Sequence, residues 1–115
     1  MNKIKSHKPS NRTMPEEERA HNLKTLSTVL KAASHPVRLE TISLLSGLEV
    51  SVGGLQDQLE LPYPVISHHL AYLRRARIVT RRRQGTVMLY WLHDTRLLPL
   101  IEAAQTPEQQ TPQAV

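Results

Sequence analysis

Apolar side chains recur at intervals of three and four residues in five stretches of the chain, and this spacing places them along one face of a helix. The five predicted helices begin near residues 13–16, 34–36, 52, 64 and 93–95. Thr13 is the predicted cap of the first helix, either Ser34 or His35 that of the second, and either Asp94 or Thr95 that of the fifth. Gly47 is predicted to end the second helix.

A different pattern follows the fourth helix. Residues 78–80 and 87–92 are rich in β-branched, aliphatic and aromatic side chains and predict two strands. The intervening residues 81–85 are the predicted link, because Gly85 suits a tight connection. Residues 49–51 are predicted to add a brief strand against this hairpin. With 115 residues, the chain is one domain that is mainly α with a small β-hairpin, an α+β fold.

Positive charge is concentrated on the fourth helix and the hairpin. No acidic residue lies between Glu60 and Asp94, whereas six of the fifteen Lys and Arg residues lie within positions 74–83. A charge run is often only a solvated face. Basic side chains at the end of a short helix and on an adjoining hairpin, however, can reach phosphates on both sides of a groove. With a net charge of +5, the chain is expected to bind double-stranded DNA.

The composition argues against several other functions. Cysteine is absent, which removes disulfides, thiolate metal sites and cysteine nucleophiles. Three Tyr, one Trp and no Phe are too few for single-strand binding by base stacking. No apolar run reaches the length of a membrane span, so no membrane contact and a cytoplasmic location are expected. No catalytic motif is found, and we expect neither an enzyme nor a cofactor.

Three segments resemble the ArsR/SmtB family of bacterial winged-helix repressors. They are SHPVRLETISLL, VISHHLAYLRRARIV and RRRQGTVMLYWL. They match a His/Asp-Pro-x-Arg-Leu helix, a Ser-x-His-Leu recognition helix and a Gly-tipped wing that ends in a Tyr-rich strand. The resemblance covers about residues 23–101. It implies a winged helix-turn-helix repressor that dimerises through its first and last helices and binds an inverted-repeat operator as a homodimer.

The predicted DNA contacts lie on the fourth helix and the wing. Ser67 and His68 are the predicted readers of base edges, although they could simply be exposed. Arginines that follow them are predicted to hold phosphates, and Arg82 and Arg83 at the wing tip to enter a minor groove. The full set of predicted DNA-binding residues is Tyr63, Ser67, His68, Ala71, Arg74, Arg75, Arg77, Arg81, Arg82 and Arg83.

Four residues near this surface have expected structural consequences. His69 is predicted to be partly buried and hydrogen-bonded rather than a contact. Arg38 either holds a phosphate or pairs inside the fold, and we favour the second. Arg77 stands where the resembled family commonly has Gly, so a positive φ would strain it by about 1 kcal/mol or more. The pair Gly53-Gly54 predicts a loose first turn in the third helix.

The resemblance also implies a dimer interface, for which the first and last helices offer apolar side chains. These are Leu23, Leu26, Leu30, Leu97, Leu98, Leu100 and Ile101. The polar, basic residues 1–13 and the Pro- and Gln-containing residues 105–115 are predicted to be a disordered arm and tail. Residues 14–104 are then the winged-helix domain that binds DNA and dimerises.

Many members of the resembled family sense metals, but their ligand motifs are missing here. Residues 50–56 lack sulfur and imidazole, and Arg96 replaces the His of the Asp-x-His motif, so no metal is predicted. An unconventional site of His21, His93 and Asp94 stays open, as does an inducer that is a small molecule or a protein. The alternative function is an interaction or architectural module that binds DNA nonspecifically and docks a partner protein through its last helix.

Overall fold

The computed structural model describes residues 14–107, so the predicted arm at residues 1–13 and most of the predicted tail lie outside the described residues. Residues 14–107 contain five helices and three strands. The helices are α1 (Glu16–Ala33), α2 (Pro36–Leu44), α3 (Val52–Leu59), α4 (Tyr63–Arg75) and α5 (Leu98–Gln105), and the strands are β1 (Val50–Ser51), β2 (Val79–Gln84) and β3 (Val87–Leu92). The mainly helical α+β fold with a β-hairpin is thus confirmed.

The three strands form one antiparallel sheet in the order β1-β3-β2. Val79 pairs with Leu92 at one end of the hairpin and Gln84 with Val87 at the other. The prediction that residues 81–85 link the strands is wrong, since Gly85 and Thr86 alone connect them. Gly85 has the positive φ of 66° that such a two-residue turn requires. The arginines of β2 hide it from a hydropathy pattern. They are tolerated there because β2 is an edge strand that is open to solvent.

Side chains hold the starts of α2 and α3. His35 caps α2, with its Nδ1 accepting the Val37 N–H over 3.0 Å, which settles the choice between Ser34 and His35. Ser51 caps α3 through its Oγ, which accepts the Gly54 N–H over 3.0 Å. A side-chain cap thus holds the first turn of α3, the turn whose glycines predict looseness. Gly47 lies in the turn after α2 with a φ of 71°.

Two other helix starts differ from expectation. Pro15 precedes α1 without a side-chain cap, and the predicted cap Thr13 lies outside the described residues. α5 begins only at Leu98, so neither Asp94 nor Thr95 caps it. Asp94 Oδ1 instead accepts the Arg96 backbone N–H over 3.0 Å. Such a local side-chain turn competes with helix formation, so α5 begins at a later residue than predicted.

All five helices and the hairpin contribute to one apolar core. Its fully buried members include Ile42, Leu45, Leu55, Ile66, Leu70, Leu73, Ile78 and Val79. Leu97 and Ile101, two of the predicted dimer contacts, also belong to this core and are only 6% and 7% exposed. Most of their surface is thus covered by their own chain, because periodicity shows that a face is apolar without showing which surface covers it. No helix among residues 14–107 has the length and hydropathy needed to cross a membrane.

Candidate DNA-binding surface

The α3–turn–α4 unit presents one face of α4 to solvent. Glu60 ends α3 in the left-handed region with φ 56°, and Pro62 precedes the first turn of α4. The apolar face of α4, together with His69, is buried against the core. The opposite side carries Tyr63, which is 57% exposed, the exposed His68 and the half-buried Ser67 and Ala71.

The predicted base readers form a continuous stripe. Tyr63, Ser67 and Ala71 follow each other at intervals of four residues and lie on the same side of the helix. His68 lies beside them, and its ring meets the Tyr72 ring edge-on with 5.1 Å between centroids. Tyr72 is absent from the predicted set, although its position four residues after His68 is a local signal. The structure therefore brings the predicted readers Ser67 and His68 to one surface with Tyr63 and Ala71, and it adds Tyr72.

A hydrogen-bonded arginine anchors the buried side of α4. Arg38 Nε donates to His69 Nδ1 over 3.1 Å, and Arg38 Nη1 donates to the Ala32 carbonyl over 3.0 Å. The same guanidinium lies 3.9 Å from the centroid of the Tyr72 ring. Arg38 thus links the end of α1, α2 and α4, and the structural role favoured for it is confirmed. It fixes the orientation of α4 relative to the rest of the fold.

The environment of His69 keeps its ring neutral. His69 is 8% exposed, as predicted for a buried, hydrogen-bonded histidine. Since an arginine N–H can only donate, His69 Nδ1 must accept and the ring proton resides on Nε2. Burial lowers the pKa of His69, and the nearby His35, Arg38 and His68 lower it further. A second positive charge at this junction is therefore disfavoured.

Three arginines lie at the carboxyl end of α4. Arg75 and Arg77 are exposed and Arg74 is half-buried. The Arg75 guanidinium lies 5.0 Å from the Tyr72 ring centroid. Arg77 adopts φ 63°, which confirms the expected strain at this position. Its N–H donates to the Arg74 carbonyl over 3.0 Å and so ends the helix in the manner usual for glycine.

The wing arginines divide between the two faces of β2. Side chains alternate along a strand, so Arg81 and Arg83 share one face and Arg82 lies on the other. Arg82 forms a two-point ion pair with Glu49, with Nη2–Oε1 at 2.9 Å and Nε–Oε2 at 3.3 Å. Arg81 donates to the Tyr90 hydroxyl over 3.1 Å.

The predicted position of Arg82 and Arg83 at the wing tip is wrong. Both lie within β2, with Arg83 opposite Met88, and the tip consists of Gly85 and Thr86. Glu49, the partner of Arg82, is absent from the predicted site residues. No local pattern reveals this pair, because 33 residues separate its members.

The hypothetical site of His21, His93 and Asp94 is not formed. Asp94 accepts hydrogen bonds from the Arg96 guanidinium, with Oδ2–Nη2 at 2.7 Å, and this contact lowers the pKa of the carboxyl group. Across residues 14–107, no three His, Asp or Glu side chains come together in a way that would hold a metal ion.

Of the other predicted interface residues, Leu30 and Leu100 line an apolar groove between α1, α2 and α5. Leu23, Leu30 and Leu100 are exposed, while Leu26 and Leu98 are half-buried. The groove has a volume of about 280 Å³ and is lined by Leu30, Ala33, Ser34, Leu39, Leu97, Leu100, Ile101 and Ala104. Leu39 of α2 is absent from the predicted set, because its helix was expected to be buried broadly.

Known proteins resemble this chain in sequence and fold. The family model described as bacterial regulatory protein, arsR family, matches residues 35–81. Transcriptional activator HlyU of Vibrio cholerae is 35% identical over 86 residues, which are 75% of this chain and 80% of that protein. The crystal structure of the transcriptional repressor BigR from Xylella fastidiosa superimposes with a TM-score of 0.66 at 33% identity, covering 78% of this chain and 92% of that one.

A third similarity concerns the fold alone. The homodimeric winged helix-turn-helix DNA-binding domain of Mb0332 from Mycobacterium bovis is 24% identical and superimposes with a TM-score of 0.65. It covers 79% of this chain and 84% of that one. The arrangement of α3, α4 and the β2–β3 hairpin is thus a winged helix-turn-helix.

Proposed function

Since this chain belongs to the arsR family of bacterial regulatory proteins and is a DNA-binding transcriptional regulator, we propose that it represses transcription by binding an inverted-repeat operator as a homodimer. The stripe of Tyr63, Ser67 and Ala71 carries this proposal, because it lies on a helix whose other face is locked into the core. The repressor role is supported by the similarity to the Xylella repressor.

In the proposed complex, α4 enters the major groove. Ser67 and His68 then hydrogen-bond base edges, while Tyr63 and Ala71 supply apolar contact to a thymine methyl group. The basic side chains around this stripe hold phosphates and fix the register of the helix on the duplex. The proposed phosphate contacts are Arg74, Arg75, Arg77, Arg81 and Arg83. Arg82 joins them only when its ion pair with Glu49 opens.

A second copy of the chain is the proposed occupant of the apolar groove. Leu30, Leu39 and Leu100 leave apolar surface exposed around it, with Leu23 and Leu26 farther along α1. A two-fold axis through this face would place two copies of α4 in successive major grooves about 10 base pairs apart. The operator should therefore be pseudo-palindromic. We also retain the cytoplasm as the expected compartment, because a regulator must reach chromosomal DNA.

Fluorescence anisotropy tests the proposed function. The purified protein is titrated with the DNA upstream of its own gene and with a shuffled fragment, each at two salt concentrations. We expect a preference of about a hundredfold or more for the native fragment that persists at the higher salt. Equal affinities that fall together with salt would overturn the proposal and leave nonspecific electrostatic binding. The nonspecific module with a protein partner on α5 would then replace it.

A further inference from the structure

A small cleft lies between the end of α4 and the beginning of β2. It has a volume of about 200 Å³ and is lined by Arg74, Arg77, Val79, Thr80 and His93. Ligand sites for drug-sized molecules occupy roughly 300–1,000 Å³, so the cleft suits a smaller ligand. Val79 forms its buried apolar wall, and the other four side chains are polar.

The polar groups of the cleft favour an anion. Two guanidinium groups and the imidazole ring offer N–H donors, and the Thr80 hydroxyl offers an O–H donor. None of these lining residues is acidic. Asp94, the sequence neighbour of His93, is already engaged by Arg96 through both carboxylate oxygens. Planar guanidinium groups match the spaced oxygens of phosphate and carboxylate groups particularly well.

One of the cleft-lining residues carries a hydrogen-bond donor without a partner. Arg74 Nε is buried from solvent, yet it has no hydrogen-bond partner within residues 14–107. Buried polar groups in folded proteins nearly always have partners, and a charged donor without one is especially unfavourable. Arg74 lines the cleft, so an anion bound beside its guanidinium would offset part of the cost of burying this charge.

The cleft lies at the base of the wing rather than at its tip. Thr80 is the cleft residue nearest the wing tip along β2, and five steps of about 3.3 Å, roughly 17 Å in all, separate it from the turn at Gly85. A wing tip can therefore contact a DNA groove while the cleft takes up a separate ligand. A DNA phosphate that runs past the end of α4 is the other possible source of the same chemistry.

We propose that Arg74, Arg77, Thr80 and His93 form a binding site for a phosphate-type oxyanion. Arg77 and Arg74 supply the charge, and Thr80 and His93 complete the set of donors. An oxyanion held here neutralises part of the basic surface at the end of α4 and thereby weakens DNA binding. Only the weakening of DNA binding rests on the proposed function, because anion binding itself is measured without DNA.

The test without DNA follows the Arg74 Nε–H and His93 ring signals by NMR during a titration with inorganic phosphate at fixed pH. Potassium chloride of matched ionic strength is the control titrant. We expect saturable shifts with phosphate only. Arg77→Gly and Thr80→Val should each weaken phosphate binding by tenfold or more. Lys24→Gln removes an exposed cation of α1 outside the cleft and should leave phosphate binding within twofold of wild type.

Arg77→Gly and Thr80→Val are both suited to preserving the fold. Glycine relieves the positive φ at position 77, and valine matches threonine in shape and in preference for a strand. A loss of phosphate binding in these variants therefore reports on the site and not on unfolding. Phosphate shifts that equal those with chloride, or that persist undiminished in Arg77→Gly, count against a free anion as the ligand.

The second arm repeats the phosphate titration on the protein–DNA complex. A free anion as the source predicts that phosphate weakens DNA binding more than chloride does in wild type, but not in Thr80→Val. A DNA phosphate as the source predicts that Thr80→Val and His93→Gln lower affinity for every sequence in the absence of inorganic phosphate. The proposal is overturned if the protein shows neither phosphate binding nor this loss of DNA affinity. Phosphate binding without any DNA binding would remove the proposed function alone.

Discussion

Arg38 donates a hydrogen bond across 3.1 Å to Nδ1 of the buried His69, although 31 residues separate them in sequence. The pair ties α2 to the helix that carries the proposed base readers. The Arg38 guanidinium also donates to the Ala32 carbonyl and lies over the Tyr72 ring. Protonation of His69 would replace its acceptor by a donor and place two cations face to face.

We expect the free energy of unfolding to fall as the pH drops below 6.5 because of His69. Its folded pKa lies below the reference value of 6.5, so the unfolded chain binds more protons between the two values. The stabilising contribution is complete above pH 6.5, declines as the pH falls and is lost below the folded pKa. Urea unfolding at several pH values measures this loss. His69→Asn keeps an acceptor for Arg38 without titrating, and its stability should vary less with pH.

His21→Asn is the matched control for this prediction, because His21 is an exposed histidine of α1. It should show the same pH dependence of stability as wild type. An equal loss of stability at low pH in His69→Asn would mean that the His69–Arg38 contact does not control the acid response.

Arg77→Gly should make the protein more stable and a weaker DNA binder. Glycine adopts φ 63° without the penalty that arginine incurs, which is about 1 kcal/mol. Loss of the guanidinium should lower affinity for all sequences and reduce the salt slope by about one. Urea unfolding and anisotropy at several salt concentrations measure the two effects. Glu60→Gly, at the other positive φ, should stabilise similarly, and destabilisation by both variants would refute the strain argument.

Gly53 and Gly54 should respond oppositely to alanine. A Cβ at Gly54 would lie 2.9 Å from Val50 Cγ1, a short and stiff side chain, whereas Gly53 has only Ser51 Oγ at 3.8 Å. We expect Gly53→Ala to stabilise by about 0.5–1 kcal/mol and Gly54→Ala to destabilise by about 1–3 kcal/mol. Thermal and urea unfolding check both values. Val50→Ala should relieve part of the Gly54→Ala penalty in the double variant, and purely additive effects would exclude the clash as its cause.

Base reading and phosphate binding should separate by mutation. Ser67→Ala or His68→Ala should reduce the preference for the native operator over a mismatched one by about 1–3 kcal/mol. Arg83→Ala should weaken binding uniformly and flatten the salt dependence. Arg82→Ala should have a smaller effect, because Glu49 already neutralises Arg82. Anisotropy with matched and mismatched DNA tests the series, and a reversed pattern would exchange the two assigned roles.

Leu100→Glu should convert the proposed dimer to a monomer. Leu100 is 63% exposed beside the apolar groove, and a charge there opposes burial against a second copy. Leu48→Glu is the control, since Leu48 is 60% exposed but lies in the turn after α2, outside the groove. Sedimentation equilibrium at micromolar concentration should show a monomer only for Leu100→Glu. A monomeric wild type, or a dimer in both variants, would exclude this face.

The five helices, the hairpin and the face of α4 that packs inward follow from the sequence, because periodicity, caps and turn residues are local signals. The expected positive φ at Arg77 and the burial of His69 were visible through the family pattern as well. The position of the wing turn could not be predicted from the sequence. The arginines of β2 do not look like a strand, and pairing with β3 decides how long β2 is. The late start of α5 depends on the contact between Asp94 and Arg96.

Tertiary structure alone decided which partner each residue meets. Arg82 and Glu49, or Arg38 and His69, approach each other only after distant segments pack, and no local pattern encodes such a distance. The same holds for Leu97 and Ile101, which face their own core, and for Leu100, which remains exposed three residues after Leu97. Sequence determines that a helix is amphipathic. The surfaces that can cover its apolar face exist only in the folded molecule. The free energy gained by burying that face therefore depends on how the whole chain packs.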